Sequence, residues 1–455
     1  MKSKLLALGS WLLAVGLACT VPAGLCQAAE QFPPPDFTSS GYQIPQPTTP
    51  PARADFYELL DSLVLAAALG LATYLIYRRR SRRGVFWLML FSVAYFGFWR
   101  KGCVCPIGAI QNVAEAGFGS GLVLPVVVTV FFFLPLVLAL FFGRTYCSAV
   151  CPHGALQDAI LAKPVTVPPW LSHALGLLAY FYLGLAVLFA VTGSAYIICE
   201  YDPFVALFRR CGSAGLLSIS AFFVLLAVFV GRPYCRFLCP YGAILRILSQ
   251  LSRWRVKIYP DRCINCHLCD ESCPYGAIHK TTPLEQASPR VAGKGRILAF
   301  AALVPLLVLL GGWFGSRLAG PLSHMDSTVR LADRIRLEES KPEVGRPSGS
   351  PGDPEDRPTE EMSDRSKAFR RTGQAFEELY ADAAAVYSRF KAGSWWFGAW
   401  VGLVVGLKLL SLALPRRYSE YEADRSLCVA CARCFAYCPG EKGLLDPNLK
   451  AKIAP

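Results

Sequence analysis

Charge is scarce in this chain. Across 455 residues, Asp, Glu, Lys and Arg make up 17%, against roughly 25% in an ordinary soluble domain. With 54% hydrophobic residues the chain is not disordered, and a simple soluble enzyme fits it poorly. Histidine is scarcer still, five in all, and no two sit on helices at a spacing that would demand a bis-histidine haem. No haem is expected. G-x-G-x-x-G, P-loop and nucleophile motifs are missing, which removes the usual signals of dinucleotide, nucleotide-triphosphate and acyl-transfer chemistry.

Cysteine is what the chain has in quantity, with 18 residues. In a small secreted chain that number would mean a disulfide framework. Here they fall in tight C-x2-C, C-x3-C and C-x-C groups, which reads as metal.

The N-terminus joins Lys2 and Lys4 to an apolar stretch and a small-residue end near Ala28–Ala29, the pattern of a signal peptide over 1–29. A Pro/Ser/Thr-rich extracytoplasmic linker, 30–55, follows. Seven apolar segments come next, near 57–77, 85–99, 121–142, 170–192, 214–230, 297–315 and 395–414. A helix needs about 20 residues to cross the hydrocarbon core, so the second and fifth are short. This composition predicts a membrane α-helical bundle of about seven transmembrane helices.

Orientation follows from the short loops. If 78–83 is cytoplasmic, the four inner regions hold 25 Lys and Arg, while the outer short segments 30–55, 100–120 and 193–213 hold 5. The outer loop 316–394, with 13 basic and 14 acidic residues, is too long to vote. The net charge of +14 is therefore mostly a topology signal, and nucleic acid drops out as a partner.

The strongest motif is Cys263-x2-Cys266-x2-Cys269-x3-Cys273-Pro274, repeated as Cys428-x2-Cys431-x2-Cys434-x3-Cys438-Pro439. Each is the bacterial ferredoxin run for a [4Fe–4S] cluster, whose fourth cysteine ligates the other cluster. Structural zinc prefers two separated pairs. Two spans and the outer loop lie between the runs, so both fall on the same side of the membrane. The expectation is a split α+β ferredoxin-like domain carrying two [4Fe–4S] clusters, with half 1 over 257–296 and half 2 over 415–455. A hairpin of spans, 297–315 and 395–414, would join them through the extracytoplasmic helical loop 316–394.

Within the membrane domain, 56–256, a second repeat reads Gly143-Arg144-Thr145-Tyr146-Cys147-x3-Cys151-Pro152-His153-Gly154-Ala155 and Gly231-Arg232-Pro233-Tyr234-Cys235-x3-Cys239-Pro240-Tyr241-Gly242-Ala243. The i, i+4 spacing would put each pair of thiols on one helix face. Four facing thiols suit a further cluster at the inner edge; a redox dithiol or reduced structural thiols are the alternatives. A third group, Cys103, Cys105, Cys199 and Cys211, is placed on the opposite face, as either another cluster site or disulfides. One or two additional Fe–S clusters would follow. His153 reads as a hydrogen-bond donor beside the thiols, Glu58 and Asp61 as interfacial, and Asp202 as a cap. Helical texture recurs over Ser327–Glu339 and Ser363–Arg389 around the linker Pro342–Pro358, with self-packing the default.

On these motifs, over roughly 57–445, the chain resembles the NosR/NapH-type polyferredoxin membrane proteins. The resemblance implies electron transfer between a cytoplasmic donor or the quinone pool and an extracytoplasmic redox protein, at a bacterial inner membrane with the ferredoxin domain cytoplasmic. Only about 25 residues separate the signal from the first span. The extracytoplasmic flavin-binding domain of full-length nitrous-oxide regulators is therefore expected to be lacking, and a flavinylated partner would be a natural replacement. An electron-transfer component fits better than a stand-alone enzyme; the rivals are a quinol-dehydrogenase subunit and a redox sensor or assembly factor.

Overall fold

The computed structural model describes residues 55–102, 105–118, 124–258, 263, 265–279, 290–340, 363–414 and 420–439. The signal peptide, most of the 30–55 linker, the linker Pro342–Pro358 and Cys103 lie outside the described residues.

A helix forms at each place where the sequence runs apolar. They are α1 (Asp55–Tyr77), α2 (Arg82–Ser92, continuing as π-helical Val93–Trp99), α3 (Pro106–Gly117), α4 (Val126–Phe142), α5 (Pro152–Ala159), α6 (Pro169–Thr192), α7 (Pro203–Arg209), α8 (Ala214–Phe229), α9 (Pro240–Ser249), α10 (Arg290–Arg317), α11 (Ser327–Ser340), α12 (Asp364–Arg371) and α13 (Phe376–Ala413). Among the described residues, four helices are long and apolar enough to cross a membrane: α1, α6, α10 and α13. A fifth span results if α7 and α8, bent by 102° to each other, count as one. The apolar α4 has 17 residues, about 25 Å at 1.5 Å per residue, and falls short of the hydrocarbon thickness. The expected count of about seven therefore divides into full-length spans and shorter helices gathered around the cysteines.

The π-helical stretch at the end of α2 buries Val93, Phe96 and Gly97. A Cβ on Gly97 would come within 2.7 Å of the Phe208 ring, so the missing side chain is what lets α7 lie against α2.

Segment 316–394 differs from expectation in one respect. Ser363–Arg389 is not a single helix: the chain turns at Gly373, whose φ is +71°, and α13 then runs unbroken for 38 residues through the last span. Glycine is the residue that adopts this left-handed turn at little cost. Self-packing is what the structure shows, with Ala332, Ile335, Phe369 and Leu379 forming a small buried core. Tyr387, placed on the same apolar stripe, is exposed.

Helices α10 and α13 pack along glycines. A Cβ on Gly315 would lie 2.8 Å from the Cα of Gly398, and one on Gly406 would lie 3.3 Å from the Cα of Val304. Gly398, Gly402 and Gly406 recur every fourth residue, the small-residue spacing that lets helix backbones touch in a membrane. Its consequence is positional, because the hairpin delivers the second cysteine run back to the first. There β1 (Ile278–His279) and β2 (Glu422–Ala423) pair antiparallel, Ile278 opposite Ala423 and His279 opposite Glu422.

Candidate functional site

The two cysteine runs fold alike. Asn265 and His267 in the first have φ of +52° and +58°; Ala430 and Ala432, at the matching positions of the second, have +54° and +60°. Left-handed residues interleaved with right-handed ones turn successive N–H groups inward, making the concave nest found at many Fe–S and phosphate sites. In the second run the Ala430 N–H already points at the Cys428 Sγ, at 3.4 Å.

Residues from both halves build one core: Tyr275, Ala277 and Val429 are buried together with Cys273, Cys428 and Cys431 packed on them. The Asp424 N–H donates to the Ala277 carbonyl at 2.7 Å, and the Asp424 carboxylate meets His279 Nε2 at 3.0 Å. Burial opposes ionisation of Asp424, but bonds from His279, Ser426 and Leu427 outweigh it and hold the carboxyl well below the usual carboxylate range.

A cavity opens between the halves, with Cys273 from the first run and Cys428, Cys431 and Cys434 from the second on its wall. Burial pushes the Cys428 thiol up to about 12, against a lowering by the Ala430 N–H. Cys263, Cys266 and Cys269 lie within electrostatic reach of one another on the more open side; burial pushes Cys269 up to about 11. Among the described residues no three His, Cys, Asp or Glu side chains converge on one point as ligands of a single metal ion. Four thiols around a void, within inward-turned N–H groups, fit a polynuclear thiolate-bound cluster better than a mononuclear ion.

The C-x3-C-P repeats do not put each pair of thiols on one helix. Proline disfavours the α-conformation in the residue before it, and Cys151 (φ −68°, ψ 118°) and Cys239 (φ −62°, ψ 114°) are accordingly extended. Cys147 sits in the π-turn Tyr146–Val150 and Cys235 in the short helix Pro233–Phe237, while Cys151 and Cys239 cap α5 and α9. All four are buried and within electrostatic reach of one another. Gln157 holds the group in place, donating to the Cys235 Sγ at 3.3 Å and accepting from the Tyr234 N–H.

Of the third group, Cys105, Cys199 and Cys211 are among the described residues. Cys105, the cap of α3 in the same Cys-Pro arrangement, is half-buried and lies within electrostatic reach of Cys151 and Asp202. Cys199 Sγ sits 3.0 Å from where a Cβ of Gly108 would be. Cys211 is disulfide-bonded, so it offers no thiolate.

Polar residues read as peripheral turn out to be central. Asp61 is fully buried, paired with Arg100 at 2.8 Å and bonded by the Tyr95 hydroxyl at 2.8 Å. Asp202 does cap α7 through the Phe204 N–H, and its other oxygen meets the Tyr234 hydroxyl at 3.1 Å and His153 Nε2 at 3.5 Å. His153 lies beside the Cys151 thiol, as expected of a neighbour.

Asp158, which belongs to no motif, is the hub. Its buried carboxylate meets Arg82 at 3.0 Å, Arg232 at 3.0 Å and Arg433 at 2.8 Å, and accepts from the Tyr275 hydroxyl at 3.2 Å. Arg232 belongs to the second membrane repeat, Tyr275 to the first ferredoxin half and Arg433 to the second. Arg82 also donates to the Cys431 carbonyl and Arg144 to that of Ser426. A Cβ on Gly231 would stand 3.0 Å from Pro274, which accounts for glycine at the point of contact. The only sequence signal was the Gly-Arg pair that opens each membrane repeat.

Comparison with known proteins agrees with this layout. A family model described as a 4Fe-4S binding domain matches residues 124–177 and 214–259, the two C-x3-C-P repeats, and a second 4Fe-4S binding domain matches 256–279. An uncharacterized protein of Methanocaldococcus jannaschii, MJ0750, is 31% identical over 189 residues, 40% of this chain and 76% of that one. YccM of Escherichia coli, whose name is "Putative electron transport protein", is 28% identical over 156 residues, 30% of this chain and 43% of YccM. The regulatory protein NosR of Pseudomonas aeruginosa is 28% identical over 215 residues, 43% of this chain and 30% of NosR. The match thus spans less than half the length of YccM and of NosR. No solved structure matches the chain.

Proposed function

The chain belongs to the NosR/NapH-type family of 4Fe–4S binding membrane proteins, and from that premise we propose that it carries electrons through the cytoplasmic membrane, between a cytoplasmic donor or the quinone pool and an extracytoplasmic redox partner. The observation that carries this reading is the succession of thiols. Cys263, Cys266 and Cys269 lie on the open side, Cys273 with Cys428, Cys431 and Cys434 behind them, then the four repeat cysteines, then Cys105.

In this reading the two runs form one ferredoxin domain split by the α10–α13 hairpin. Cys428, Cys431 and Cys434 would hold one cluster with Cys273; Cys263, Cys266 and Cys269 would hold the other with Cys438. The paired strands and the shared core support it. The four repeat cysteines would hold a further cluster, and the match of a 4Fe-4S binding family across both repeats supports that assignment. Iron–sulfur clusters bound at these thiols supply one-electron redox chemistry.

The chain's own residues do the rest. Asp158 and its guanidiniums clamp the ferredoxin halves against the membrane repeats. The cysteine-capped helices α3, α5 and α9 aim backbone N–H groups at Cys105, Cys151 and Cys239. Because the short helices bring Cys105 near Cys151, no pair of successive groups needs to lie a full membrane thickness apart, about 30 Å. The donor is expected on the side of Cys266, the exposed cysteine of the first run.

The test uses the reconstituted full-length protein in liposomes with cytochrome c trapped inside. Dithionite added outside should reduce the trapped haem, and Cys147→Ser should stop it. Reduction of the protein's own clusters with the trapped haem untouched would refute transmembrane transfer and favour a sensor.

A further inference from the structure

Between the ferredoxin halves and the membrane repeats lies a second cavity, walled by Arg144, Arg232, Arg236, Arg246, Cys147 and Cys235. Its charge is one-sided. Arg232 is accounted for by Asp158. Arg144 donates to the Ser426 carbonyl and reaches the Cys147 Sγ at 3.9 Å; Arg246 donates to the Arg236 carbonyl; Arg236 donates to the Ser172 hydroxyl at 2.8 Å. None of these three meets a carboxylate among the described residues.

Arg144 is 4% exposed and Arg246 8%, and the Nε atom of each is buried without a partner. A buried cation lacking a counter-charge is costly, and folded proteins rarely keep one without a use. The cavity wall has no carboxylate to supply that charge. Its anionisable groups are the two thiols and the Tyr275 phenol, which is committed as a donor to Asp158.

We propose that Arg144, Arg236 and Arg246 are the counter-charge of a thiolate-bound iron–sulfur centre at Cys147 and Cys235, and that they hold its reduction potential above that of the same site without them. The inference rests on the reading that the repeat cysteines bind a cluster. One-electron reduction adds a negative charge to the site and releases no leaving group. Guanidiniums held nearby in a poorly solvated cavity stabilise the reduced form more than the oxidised one, and net charge and hydrogen bonds to sulfur are known controls of these potentials. Arg236 also lies within electrostatic reach of Cys273, and Arg232 of Cys431, so the cationic layer stands between the two thiol sets. It favours an electron on the membrane side.

The experiment is a redox titration of the anaerobically purified full-length protein, with dithionite and mediators as reductant and each cluster followed by electron paramagnetic resonance. Arg144→Gln and Arg246→Gln should each lower the midpoint of the membrane-domain signal. At an ambient potential held at the wild-type midpoint, the reduced-to-oxidised ratio should fall about tenfold, ~59 mV for one electron. Arg144→Lys and Arg246→Lys, which keep the charge, should recover most of it, and iron content confirms that each variant is loaded. The two ferredoxin-type signals should move less than threefold in ratio. Fully loaded Gln variants with an unmoved midpoint would overturn the counter-charge assignment alone. A wild-type protein with no third signal, and iron unchanged by Cys147→Ser and Cys235→Ser, would overturn the cluster reading and the proposal with it.

Discussion

Asp158→Asn isolates what fastens the ferredoxin halves to the membrane domain. Two bonds cross that boundary to the Asp158 carboxylate, from Arg433 at 2.8 Å and from the Tyr275 hydroxyl at 3.2 Å. A hydrogen bond to a charged group is worth roughly 1.5–3 kcal/mol. Taking the low end for both, because the Arg433 side chain is 18% exposed, the docked state should lose about 3 kcal/mol, somewhat over a hundredfold in the local equilibrium. Inside the membrane domain the same change strips the counter-charge from Arg232, a loss of roughly 3–5 kcal/mol for a buried pair. The two effects are separable. Arg433→Gln removes the Arg433 contact alone and should cost about half the docking energy, leaving Tyr275 bonded and Arg232 paired. Hydrogen–deuterium exchange in nanodiscs reads the result: amides of 273–279 and 420–439 should exchange about two orders of magnitude faster in Asp158→Asn. Those of α6 should change far less. Exchange of 420–439 within threefold of wild type in both variants would refute the hub.

Three further expectations follow from particular contacts. Gly402→Leu should split the α10–α13 hairpin, since any side chain there runs into the Leu307 carbonyl; a loss of about 1–3 kcal/mol and depleted ferredoxin iron should appear together, and wild-type iron content would contradict the hairpin's role. Cys105→Ser should slow reduction of the trapped cytochrome c at least tenfold while sparing the ferredoxin signals, whereas an unchanged rate would take Cys105 out of the relay. Reporter fusions after Arg82 and Tyr437 should behave as cytoplasmic and one after Ser340 as extracytoplasmic; a cytoplasmic signal at Ser340 would remove the hairpin altogether.

The sequence was most legible where chemistry fixes spacing. The two four-cysteine runs, the duplicated C-x3-C-P segment and the apolar positions could be read directly, because cluster ligation and hydrocarbon thickness each impose a length. It was least legible where a residue's role depends on what folds against it. Asp61 and Asp158 look alike in one dimension, and only tertiary contact makes one the partner of Arg100 and the other that of three arginines. Cys105 lies within electrostatic reach of Cys151, a proximity that spacing along the chain does not show. The i, i+4 rule failed at Cys151 and Cys239 for a local reason already in the sequence, the proline that follows each. The glycine stripe of α13 is visible in the sequence, but the helix it packs on is not.

The split ferredoxin domain is the central claim, and ligand exchange tests it most directly. In two-cluster ferredoxins the fourth cysteine of each run completes the other cluster. Cys273→Ala should therefore leave the cluster of Cys263, Cys266 and Cys269 intact and convert the one on Cys428, Cys431 and Cys434 to a labile three-iron form. Cys438→Ala should do the reverse, so Mössbauer and paramagnetic resonance spectra of the two variants should show different clusters damaged. If Cys273→Ala instead damages the same cluster as Cys263→Ala, each run binds alone and the halves do not form one domain.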